Sequence, residues 1–73
     1  MTLNELLPGR EAVIIKVGGE GALRLRLLDM GILPRTKVMI QKIAPLGDPI
    51  EIRVRDYVLT IRKDDAKNIK VST

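Results

Sequence analysis

From Arg26 to Arg62 the chain reads RLLDMGILPRTKVMIQKIAPLGDPIEIRVRDYVLTIR, a short leucine helix, a glycine stop, a strand, a corner with two prolines and a hairpin in direct succession. Proline cannot donate to a sheet ladder and glycine admits tight turns, so this punctuation confines the chain to short strands joined by sharp corners. A chain of 73 residues holds one domain, here spanning 1–73, and with no cysteine its core must stand without disulfides. Tyr57 is the single aromatic residue. The bulk therefore comes from Leu, Ile and Val, which suits a small closed β-structure packed with branched side chains.

Thr2 to Glu5 has the S/T-x-x-E spacing of a capping box and predicts a helical turn that Pro8-Gly9 ends. Glu11 to Val17 reads as a strand with Val13, Ile15 and Val17 on one face. After Gly18, Gly19 and Gly21 the spacing is helical from Ala22 to Met30, with Gly31 in the C-cap position and Pro34 preventing a restart. At about 100° per residue, Leu23, Leu27 and Met30 share one sector and Leu25 and Leu28 another, with Arg24 between them. The first row is assigned to the core. The second then needs a cover, either the Leu3, Leu6 and Leu7 segment or another protein.

Lys37 to Ala44 is the next strand, and Pro45 to Pro49 a rigid corner. In the following hairpin the pairing expected to match apolar with apolar sets Val54 opposite Leu59, Ile52 opposite Ile61, Glu51 opposite Arg62 and Arg53 opposite Thr60. It implies an Asp56-Tyr57 tip or a looser loop. Asp64 or Asp65 is expected to cap a last helical turn through Ala66, before a final strand from Ile69 to Val71. Five short strands with Gly/Pro corners and two helical inserts predict a mainly β fold, an SH3-like barrel.

Chemistry is constrained by what is missing. Without His or Cys, iron, zinc or copper sites and nucleophilic catalysis are hard to build, which points away from an enzyme and toward binding. Asp48 with Glu51, or Asp64 with Asp65, offers at most a weak site for a hard cation. These acids read more simply as turn, cross-strand and capping residues. Gly18-Gly19-Glu20-Gly21 lies between strand and helix but has Arg24 where a dinucleotide loop needs a third glycine. Thirteen basic and nine acidic residues give a net charge of +4. The bases are scattered, with only Arg62-Lys63 adjacent, as on solvated faces. Arg53, Arg55 and Arg62 form an outward row without an aromatic platform, which weighs against nucleic acid. No apolar run approaches the roughly 20 residues of a membrane span, and no signal core opens the chain, so a cytoplasmic location is expected.

LNELLPGREAVI, RLLDMGILP, APLGDPIEIRV and LTIRKDDAKNIKV together resemble the FeoA family of bacterial ferrous iron uptake along essentially the whole chain. The sequence is also similar to the C-terminal SH3-like domain of DtxR-type iron-dependent repressors. The resemblance implies an SH3-like fold, no catalytic activity, no cofactor, and association with the cytoplasmic, GTPase-bearing region of the FeoB permease. Other readings in play are a nucleic-acid-binding small barrel and a metal-responsive regulatory domain. The residues expected to meet a partner are Arg24, Leu25, Arg26 and Leu28 on the helix and Pro45, Leu46, Gly47, Asp48 and Pro49 at the corner. The chain departs from the family at Pro34-Arg35, where Pro-Gly is common, and at Asp56, where a tip glycine is common.

Overall fold

The computed structural model describes residues 1–73. A 3₁₀ turn (Leu3–Glu5) precedes strands β1 (Glu11–Val17), β2 (Lys37–Ile43), β3 (Ile50–Val54), β4 (Tyr57–Ile61) and β5 (Ile69–Ser72). Helix α1 (Gly21–Asp29) lies between β1 and β2, and the short α2 (Lys63–Ala66) between β4 and β5. All pairings are antiparallel in the order β4-β3-β2-β1-β5.

One face of this sheet supplies most of the core: Ala12, Ile14 and Val17, Val38 and Ile40, Ile50, Ile52 and Val54, Ile61, Ile69 and Val71. Two short helices cannot cover five strands, so the sheet must curl over its own apolar face. Two β-bulges supply bends, one between Ile14 and Lys16 and one between Ile40 and Lys42. Leu3, Leu6, Leu27, Ile32 and Ala66 close the remaining openings.

The bulge in β1 overturns the expected face. Ala12 and Ile14 point inward and Val13 and Ile15 outward, yet Val17 returns to the core because Ile15 is the extra residue. Strict alternation cannot hold across such an insertion.

The hairpin register also differs, by two residues. Ile52 faces Leu59, Ile50 faces Ile61, Val54 faces Tyr57, Glu51 faces Thr60 and Arg53 faces Val58. A shift of two keeps every side chain on its expected face, so Ile52, Val54 and Ile61 are buried as read. The tip is Arg55-Asp56, with Arg55 rather than Asp56 at positive φ (58°). The tip has the expected two-residue length but sits one residue earlier, which brings Tyr57 into the ladder opposite Val54 and sets Ile50 opposite Ile61.

The helical boundaries follow local chemistry. The Thr2–Glu5 capping box forms, and the Glu5 carboxylate accepts from the Thr2 amide at 2.8 Å and from its hydroxyl at 2.9 Å. Those bonds, the backbone one first, hold the Glu5 carboxyl below the usual carboxylate range. At the end of α1, Gly31 (φ 89°) donates to the Leu28 carbonyl at 3.0 Å and Ile32 to Leu27 at 3.1 Å, a Schellman motif with Leu27 and Ile32 fully buried.

α2 is capped differently from the expectation. Its N-cap position is Arg62, and the Lys63 amide donates to Asp48 Oδ1 at 3.0 Å. A carboxylate from the distant corner therefore does the work expected of Asp64 or Asp65, which sit inside the first turn.

Arg35 stands at φ 71° while its amide bonds the Ile14 carbonyl at 2.7 Å, so this left-handed residue anchors the approach to β2. A side chain there costs about 1–2 kcal/mol that glycine avoids, offset in part by glycine's greater unfolded entropy. Arg35→Gly is therefore expected to raise stability by about 0.5–1 kcal/mol, measured as a higher denaturation midpoint at unchanged slope.

Candidate functional site

The two predicted patches meet at α2. On α1, Arg26 Nη2 bonds Asp65 Oδ2 at 2.9 Å, while Arg24 Nε reaches the Val17 carbonyl at 3.3 Å. From the corner, Asp48 holds the first amide of α2. Asp48 and Arg26 are thus internal ties as well as surface groups, and they set α1, α2 and the corner side by side.

Of the two outer leucines on α1, only Leu25 stands free, 60% exposed. Leu28 packs partly against the core with Leu23 and Met30, which corrects the expectation of an exposed Leu25/Leu28 pair. The alternative cover is also absent. Leu3 and Leu6 are buried in the core and their turn packs on α2 and β5, while Leu7 remains exposed. At the corner, Leu46 is 94% exposed and held out by the turn that Pro45, Gly47 (φ 85°) and the cis Asp48-Pro49 bond shape. The Gly47 amide bonds the Ala44 carbonyl at 2.7 Å and the Ala44 amide the Pro49 carbonyl at 3.1 Å, fixing the loop at its base. Leu25 on α1 and Leu46 at the corner are thus the exposed leucines of the two predicted patches.

The remaining constellations separate. Arg53 and Arg55 line a shallow cleft with Glu11, Lys37, Val38 and Met39, whereas Arg62 starts α2, so the expected arginine row does not form. No Glu51–Arg62 ion pair exists, because the register sets Thr60 opposite Glu51. In the glycine loop the Gly18 amide is spent on the Asn68 carbonyl at 2.6 Å. No group of three or more His, Cys, Asp or Glu side chains comes together. Two features escaped the sequence reading. Tyr57 donates its hydroxyl to the Met30 carbonyl at 2.9 Å, fastening the hairpin to the end of α1. Lys16, Lys67 and Lys70, scattered in sequence, line one cavity.

The donor set bears directly on iron. Scattered carboxylates, one of them capping a helix and another paired with arginine, make weak ferrous ligands. Protein dialysed after exposure to ferrous ion is expected to retain far less than one iron per chain, as elemental analysis would read. Stoichiometric retention would contradict this.

These features define an SH3-like β-barrel that leaves Leu25 and Leu46 exposed. The chain belongs to the FeoA family: the FeoA domain matches residues 1–73. The Fe(2+) transport protein A/Fe(2+) transporter FeoB fusion protein of Porphyromonas gingivalis is 41% identical over 71 residues, 97% of this chain but 8% of that protein. Iron(II) transport protein A from Clostridium thermocellum superimposes with a TM-score of 0.94 at 38% identity, covering 99% of this chain and 44% of that one. The zinc complex of Stenotrophomonas maltophilia FeoA, described as a prokaryotic SH3 domain protein, gives 0.87 at 28% identity over 99% and 89% of the two chains. The same barrel recurs in IdeR of T. acidophilum at a TM-score of 0.86 and 23% identity, over 99% of this chain and 33% of that one, a likeness of fold alone. No helix is long and apolar enough to cross a membrane.

Proposed function

We propose that this chain is a non-enzymatic accessory subunit of bacterial ferrous iron uptake that acts in the cytoplasm by binding the GTPase-bearing region of a FeoB-type permease. The observation that carries the reading is the fusion relative, in which a segment similar to nearly all of this chain shares a polypeptide with a FeoB transporter. Covalent linkage raises the effective concentration of two partners, a gain that makes sense where they must meet. The exposure of Leu25 on α1 and of Leu46 at the corner supports the same reading. These leucines provide apolar anchors, and Arg24 and Arg26 supply charge to orient an acidic surface.

Leu25→Gln combined with Leu46→Gln tests this. Both side chains lie outside the core, so circular dichroism and the thermal midpoint should stay near wild type. Co-purification with FeoB should weaken by about tenfold or more, the loss of two modest anchors. A folded double variant that binds FeoB as well as wild type does would place the contact on another face.

A further inference from the structure

We infer that Lys16, Lys67 and Lys70 form a binding site for a phosphoryl anion. Lys16 and Lys70 are directly opposed in the β1–β5 ladder, an arrangement of like charges that costs stability. The bulge creates it. Val13 pairs with Ser72 and Ile14 with Val71, so an unbroken ladder would bring Lys16 opposite Ile69; the extra Ile15 shifts it onto Lys70 instead. Lys67, just past α2, completes the group. Half of the chain's six lysines thus converge on one place, and no arginine joins them.

The cavity they line is about 210 Å³, and its other walls are Gly18 and Asn68, with no carboxylate and no apolar side chain. Lys16 and Lys70 form no salt bridge, and Lys67 has only the exposed Asp64, at 3.5 Å. Glu5, on the turn packed against β5, is engaged by Thr2. Gly18 does not need glycine for its φ. A Cβ there would come within 3.0 Å of the Asn68 carbonyl, so the bare backbone keeps this wall close and open. Three movable ammonium groups suit the oxygens of a phosphoryl group as point charges, whereas planar carboxylates favour the arginine fork. No aromatic ring lines the cavity to stack a base, so nucleic acid is not the favoured ligand. The phosphoryl group can belong to a soluble phosphate ester or to an anionic lipid headgroup.

Two titrations of the full chain decide the matter, one with inorganic phosphate against chloride at constant ionic strength, followed by amide NMR, and one by sedimentation with vesicles. With phosphate, saturable shifts are expected at Gly18, Asn68 and Lys70. Lys16→Gln with Lys70→Gln should weaken binding by about tenfold while melting no lower than wild type, because a repulsion is removed. Asp64→Asn, which frees Lys67, should tighten it. Vesicles of phosphatidylcholine with phosphatidylglycerol, compared with phosphatidylcholine alone, assign the source. Lysine-dependent binding to the anionic vesicles identifies a lipid headgroup, and phosphate binding without vesicle binding identifies a soluble ester. Shifts that do not saturate or that spread equally to Arg53 and Arg55, binding that survives the double substitution, or no response to either probe would overturn the site.

Discussion

Replacing Ile52 by alanine is expected to destabilise the fold by about 2–5 kcal/mol, while Arg53→Ala, one residue along, changes stability by less than about 0.5 kcal/mol. Ile52 is fully buried and lies between Ile40 of β2 and Leu59 of β4, so truncation leaves a void that neighbours on both sides line. Arg53 projects from the other face of the same strand. A domain of this size has total stability on the order of 4–11 kcal/mol, so the isoleucine variant sits close to its unfolding threshold. Urea melts of the two variants make the comparison. Equal, small effects would mean that β3 presents the wrong face.

Gly31→Ala should cost about 2–3 kcal/mol, more than its one added methyl suggests. At φ 89° an L side chain is strained, and the new Cβ would collide with the Tyr57 hydroxyl. Tyr57 is partly exposed and can swing away, but it then loses its bond to the Met30 carbonyl. The collision and the strain are separable. In a Tyr57→Phe background the hydroxyl is gone, so the added cost of Gly31→Ala should shrink by about 1 kcal/mol. A cost unchanged by the tyrosine substitution would assign the whole effect to backbone strain.

The parts of the fold legible in the sequence are those fixed by neighbours along the chain. Gly31 and Pro34 announce the end of α1, and Thr2 with Glu5 announces the opening turn, because each device closes within a few residues. The inside and outside of β3 and β4 were legible too, since a period of two survives a shift of two. What failed needed information from elsewhere. An arginine at the hairpin tip carries no signal for left-handed φ, so the register slid. The bulge at Ile15 answers to the curvature of the whole sheet and is silent in a run of apolar residues. On α1 the second apolar sector that includes Leu25 was legible from helical spacing, but the partial burial of Leu28 and the meeting of three lysines depend on how distant elements pack.

The four-residue α2 is too short to hold itself together, since a single helical turn repays little of its nucleation cost. Its order is borrowed from Asp48 at one side and Arg26 at another. Substitutions at the corner and on α1 therefore share an intermediary, and their effects should not be treated as independent. Losing the Asp48 carboxylate would loosen the turn that presents Asp65, and so release the Arg26 guanidinium on a surface that Asp48 never touches. A scan of this face by single alanines would then count the same free energy twice, and only paired substitutions can separate residues that meet a partner from those that hold the others in place.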